Sequence, residues 1–225
     1  MRCLSSAMLI ALAGLAASPA PAGEARVVQD RTFLTFIGLL EAPLGYNQVS
    51  NHAIGYPGKP LVQMTIDEIL AWQEAQIAAG AKSTAIGRYQ FIRDTLAMIV
   101  SANDISGEAL FDRSMQDYLA RIMLHRCDFY HEDRDIHELA NCLAGTWAAL
   151  PVATGPDAGR SRYDHLIGNK ALTRVSVVLA MLRTRFGTGA PPSAESTGQT
   201  GEIVTRRASS PSIAVVDHAY DWRRP

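Results

Sequence analysis

Acidic residues are missing from one stretch of this 225-residue chain: between Ala42 and Ile66 there is neither aspartate nor glutamate. Other absences exclude whole classes of function. Basic residues number 21 against 22 acidic ones, and they are scattered. The doublets Arg206-Arg207 and Arg223-Arg224 are too short to act as polybasic segments, so neither nucleic acid nor an anionic membrane surface is expected as a partner. No HExxH or CxxC accompanies His125, Cys127 and His131, which argues against zinc, and no cofactor is expected. The six histidines form no triad-like pattern with a serine, so acyl transfer lacks support. No internal repeat is found.

The two ends differ in composition from the middle of the chain. At the N-terminus Arg2 precedes a short apolar run, Leu9 to Ala17, followed by Ser18-Pro-Ala-Pro-Ala22, with small residues where a signal peptidase reads. This predicts a secretory signal over residues 1–22 and export to the periplasm. The run is too short to anchor in a bilayer, and Cys3 precedes it, where a lipoprotein cysteine cannot lie. The exported chain would keep Cys127 and Cys142, either bridged or as two buried thiols. Beyond Gly187 the composition turns to Gly, Ser, Thr, Ala and Pro, which predicts a disordered tail over 187–225. A short polar lead, 23–30, and one domain, 31–186, remain.

Within that domain the stretch Thr32 to Gln48 sets the pattern. Phe33, Phe36, Ile37 and Leu40 recur at helical spacing, and Pro43, Gly45 and Asn47 stop the helix just after Glu41. A carboxyl at a helix C-terminus meets unpaired carbonyls, and neighbouring leucines add desolvation, so its proton should be held towards neutral pH. Gly45 to Pro60 reads as irregular chain or a small hairpin. Thr65-Ile-Asp-Glu68 is a capping box opening a helix to about Ala79 that buries Ile66, Ile69, Leu70 and Ile77. Further helices are expected over Phe91–Ser101, Asp112–His125, Asp135–Ala149 and Asn169–Phe186. The fold class is mainly α, with at most a small β-hairpin near Glu41.

Gly-Leu-Leu-Glu41, Gly-Tyr-Asn-Gln48, the loop from Lys82 to Phe91 (KSTAIGRYQF) and the block from Thr146 to Pro151 (TWAALP) together resemble the phage lambda endolysin group of peptidoglycan lytic transglycosylases, in the lysozyme-like superfamily. The resemblance covers roughly Thr32 to Lys170. It implies an α+β lysozyme-like domain in which Glu41 is the catalytic acid, the segment after it one wall of a saccharide cleft, and the Gly-Arg-Tyr-Gln loop the floor. The chain departs from that group in lacking a Gly-Gly turn and acidic residues between Glu41 and the capping box.

Glycosidases ordinarily use two carboxylates. With none between Ala42 and Ile66, a second would have to come from a distant residue such as Asp157 or Asp164. The resemblance implies instead that Glu41 serves alone, protonating the glycosidic oxygen of the muramic acid–glucosamine bond and then, as base, drawing the muramic C6 hydroxyl onto C1 to give a 1,6-anhydro product. Tyr46, Gln48, Gln90, Trp147 and Tyr163 are candidates to line the cleft, through stacking or amide hydrogen bonds. Arg88 is expected either to meet a substrate carboxylate or to pair with Asp94. The expected protein is a monomer remodelling the cell wall, with a secretion or flagellar assembly as a further partner. The alternatives are a hydrolytic muramidase and a non-catalytic glycan-binding scaffold.

Overall fold

A computed structural model describes residues 22–166 and 168–186. The predicted signal segment, except Ala22, and the predicted tail lie outside the described residues. The described chain is mainly helical: α1 (Ala22–Glu41), α2 (Ile66–Ala78), α3 (Arg93–Ala102), α4 (Arg113–Arg126), α5 (Ile136–Thr146) and α6 (Val175–Arg183), with a 3₁₀ turn at Leu61–Gln63. Among the described residues β-pairing is confined to isolated bridges, and no helix is long and apolar enough to cross a membrane.

α1 packs against α4, α2 against α3 and α5 against α6 around one core. Phe33, Leu34 and Ile37 present the buried face of α1, and the Phe33 ring lies 5.1 Å from that of Phe129. Each such buried side chain contributes about 1.5–3 kcal/mol. α1 is also fixed by a charge: Asp30, 3 % exposed, accepts from Arg121 Nε of α4 at 3.0 Å and from the Tyr130 hydroxyl at 2.8 Å. Behind the core Cys127 and Cys142 are bridged, with their Cα atoms 5.6 Å apart. A loop of that length removes about 3 kcal/mol of unfolded-chain entropy. Arg185 is buried after α6 and donates to the carbonyls of Phe129, His131, Glu132, Arg134 and Leu182.

Several boundaries differ from the sequence expectation, each for a physical reason. The lead over 23–30 belongs to α1, because Glu24 to Asp30 contains no Gly or Pro to stop the helix from running back. α2 begins with the anticipated box, Glu68 N to Thr65 Oγ1 at 3.2 Å and Thr65 N to Glu68 Oε2 at 2.8 Å. It buries Gln73 and Gln76, however, while Ile77 is 48 % exposed. α5 stops at Thr146 rather than near Ala149; Trp147 takes extended backbone (φ −122°, ψ 120°) and its ring enters the core. α6 starts at Val175, not Asn169; Leu172 is exposed, and its backbone N donates to Ala149 O at 2.8 Å instead of entering a helix.

Candidate active site

Glu41 is the last residue of α1. Pro43 has no N–H to continue the ladder, and Gly45 (φ +87°) turns the chain away. The Gln48 side chain closes the end: its Nε2 donates to Glu41 O at 3.2 Å, and its Oε1 accepts from Leu44 N at 2.9 Å. Gln48, expected to face a ligand, is thus spent capping the helix. One Glu41 carboxyl oxygen, Oε1, accepts from the backbone N–H of Ala149, 2.9 Å away and 108 residues along the chain. Burial raises the carboxyl from its ordinary 4.5 to about 7, and the Ala149 bond opposes only part of that rise. The carboxyl is therefore oriented through one oxygen and retains its proton close to neutrality. Such a group can donate a proton to a leaving oxygen and later accept one.

The wall that follows Glu41 is built by amides from the helices behind it. Segment 48–50 pairs with 85–87 through a Val49–Ile86 bridge, and Ile86 pairs with Phe91 across the turn Gly87–Gln90. The small hairpin is thus at 86–91 rather than within 45–60. Gln73 Nε2 holds it by donating to Thr84 O and Phe91 O at 2.8 and 2.9 Å. Gln76 exchanges two hydrogen bonds with the Ile54 backbone. Gln116 of α4, fully buried, accepts from Arg88 N at 2.9 Å and donates to Tyr46 O and Phe111 O at 3.1 and 3.0 Å.

This lattice places Tyr46 at the wall, half-buried, its hydroxyl donating to Asp117 Oδ1 at 2.9 Å. Tyr89 donates to the same oxygen at 2.7 Å. Burial, followed by Asp117, raises the pKa of both phenols, so both remain protonated donors. The Arg88 guanidinium lies over the Tyr46 ring and against Gly38, where a Cβ would come within 2.5 Å of Arg88 Nε. It does not pair with Asp94, whose partner is Arg93 at 3.1 Å. Gln90 sits in the turn with φ +48°, its Nε2 donating to Gly87 O at 2.9 Å.

The opposite wall follows Ala149. Trp147 is 2 % exposed and belongs to the core, so it offers no face for a sugar to stack on. Tyr163 is half-buried; its hydroxyl donates to Gly145 O and burial raises its pKa. Ser161 anchors the segment by donating to Ala148 O at 2.7 Å. Beyond it a polar recess opens, lined by Asn141, Thr154, Asp157, Arg160, Arg162 and Asp164. Asp164 is engaged by Arg160. A second recess, lined by Asn47, Val49, Tyr56 and Lys59, lies on the first wall. Glu41 lines neither recess; its carboxyl meets the chain ahead of the second wall at the Ala149 N–H.

No family model, curated protein or solved structure matches the chain. Among the described residues no group of three or more His, Cys, Asp or Glu could hold a metal ion. Sequence reasoning missed Asp117, Gln116 and the Ala149 N–H. None of the three carried a signal in the sequence; the Ala149 N–H is free because α5 ends three residues before it.

Proposed function

We propose that the protein is a lysozyme-like lytic transglycosylase that cleaves the β-1,4 bond between N-acetylmuramic acid and N-acetylglucosamine in periplasmic peptidoglycan. The observation that carries this reading is the state of Glu41, a carboxyl raised to about 7 by burial and oriented through one oxygen by Ala149 N–H. Glu41 gives its proton to the glycosidic oxygen as the C1–O bond breaks, and the leaving sugar departs with a neutral hydroxyl. The resulting carboxylate removes the proton from the muramic C6 hydroxyl, whose oxygen bonds to C1. The acid is regenerated, no water enters the product, and no second carboxylate is required. The acid-free segment from Ala42 to Ile66 and the resemblance of the Glu41, Gly87–Gln90 and Thr146–Pro151 blocks to the phage lambda endolysin group favour this chemistry over hydrolysis.

The test is digestion of purified cell-wall sacculi. Wild type should release anhydromuropeptides, identified by mass, and Glu41→Gln should lose about 10²–10⁴-fold in rate while keeping its helical spectrum. The pH profile separates the mechanisms further. A single carboxyl that must start protonated gives kcat/KM that is flat in acid and falls above about 7. A two-carboxylate hydrolase adds an acidic limb and yields reducing ends. Unchanged turnover in Glu41→Gln would remove this assignment.

A further inference from the structure

Two guanidinium groups converge on one ring in the first wall. Arg88 Cζ lies 5.1 Å and Arg113 Cζ 5.5 Å from the Tyr46 ring centre. Among the described residues neither forms an ion pair, although Lys59, Arg93, Arg121, Arg134 and Arg160 all do. Asp117, the acid bound at this ring, has one carboxyl oxygen taken up by the Tyr46 and Tyr89 hydroxyls. Asp112, beside Arg113, caps α4 by accepting from Met115 N at 2.8 Å. Gathering like charges is unfavourable, and Arg88, half-buried where Arg113 is exposed, is held there. Arg88 is fixed through its backbone by Gln116 and packs against Gly38, while Arg113 is the first residue of α4. Gly38 precedes Glu41 by three residues, which puts the two positions on one face of α1, ~5–6 Å apart between Cβ atoms. A ligand held at Arg88 is thus about one helical turn from the Glu41 position.

We infer that Arg88 and Arg113, gathered over the Tyr46 ring beside the last turn of α1, form a carboxylate-binding subsite that reads the acidic substituent of a muramyl glycan. The inference rests on the proposed function for the glycan itself and deepens it by naming the group that is recognised. Planar guanidinium forks match a carboxylate in two parallel hydrogen bonds, and partial desolvation against an aromatic face strengthens them. A neutral polymer of N-acetylglucosamine has no such group. The subsite therefore distinguishes muramyl strands from chitin-like ones.

The experiment measures binding in Glu41→Gln protein, which prevents turnover. Three oligosaccharides of equal length serve as probes: a neutral chitooligosaccharide, a muramyl glycan without peptide, and the same glycan carrying stem peptides. The expected result is at least a tenfold preference for a carboxylate-bearing glycan over the neutral one, falling with added salt. Arg88→Gln with Arg113→Gln should bring that ratio close to one, and Arg88→Lys should leave it in between. Preference for the peptide-free strand assigns the lactyl carboxylate; preference only for the peptide-bearing strand assigns the stem. Gly38→Ala, which displaces Arg88 without altering any charge, should lower the ratio as well and serves if the double variant fails to fold. A ratio of one at the outset, or a ratio that survives these variants, overturns the inference. Cleavage without discrimination would sink the subsite and leave the catalytic reading standing, discrimination without cleavage the reverse, and no glycan binding at all would overturn the subsite.

Discussion

The two walls beside Glu41 are built by different means. The first, residues 43–64 with 81–92, is irregular chain clamped by the buried side chains of Gln73, Gln76 and Gln116, and it contributes Val49, Leu61, Ile86 and Phe91 to the core. The second, residues 152–172, is mostly exposed and is held by a Pro151–Ser161 bridge, the Ser161 and Tyr163 hydroxyls, and the Arg160–Asp164 pair at the surface. An amide that satisfies two or three backbone groups in the interior fixes a loop almost as firmly as a strand ladder would, since every group it serves is costly to leave unpaired. A hydroxyl that donates to a single carbonyl fixes less. On this comparison the first wall is preorganised and the second yields to what enters between them.

Breaking the clamp should have the largest effect on folding. Gln116→Ala removes the acceptor for Arg88 N and the donor for Tyr46 O and Phe111 O, the last of them fully buried. A loss of about 3–5 kcal/mol is expected, measured by denaturant unfolding, with hydrogen exchange at Ile86 and Phe91 rising towards that of open loops. A loss below about 1 kcal/mol would mean that the hairpin is held by its apolar side chains and not by the amide.

The acid between the walls should show in the pH dependence of stability. The Glu41 carboxyl has a pKa of about 7 in the folded protein against its ordinary 4.5, so between those values the native state binds the proton that the unfolded chain has released. Stability from this group is intact below pH ~4.5, declines as pH rises, and is lost above ~7, a difference of up to about 3 kcal/mol. Glu41→Gln keeps an acceptor for Ala149 N but does not ionise. Thermal unfolding should therefore show the variant gaining on wild type from pH 5 to pH 8, and parallel curves would mean that the carboxyl is solvated.

What could be read from the sequence divides along the same line. Helices announced themselves through apolar spacing and end signals: the Thr65–Glu68 box and Pro43 with Gly45 after Glu41 are local chemistry and needed no tertiary knowledge. The position of Glu41 was legible for that reason, although the raised pKa comes from burial. The walls were not legible. Gln73, Gln76 and Gln116 read as polar residues on exposed helix faces, because a glutamine clamping a distant loop has the same sequence signature as one in water. Trp147 failed in the opposite sense, an aromatic residue beside a loop that the α5–α6 packing draws into the core. Ile77 became exposed where Gln76 took the inward position.

The smallest expected effect tests the second wall. Ser161 is a buried polar anchor of that segment, donating to Ala148 O and accepting from Tyr163 N at 3.2 Å. Ser161→Ala should cost only about 1 kcal/mol, because Ala148 is partly exposed and water can replace the donor. Its consequence for catalysis should be larger than for folding. Ala148 precedes the residue whose N–H orients Glu41, so loosening it lets the carboxyl turn and lowers kcat while leaving the helical spectrum unchanged. If kcat holds while stability falls by several kcal/mol, the second wall is as firmly built as the first, and the orientation of Glu41 depends on Pro151 and the end of α5 alone.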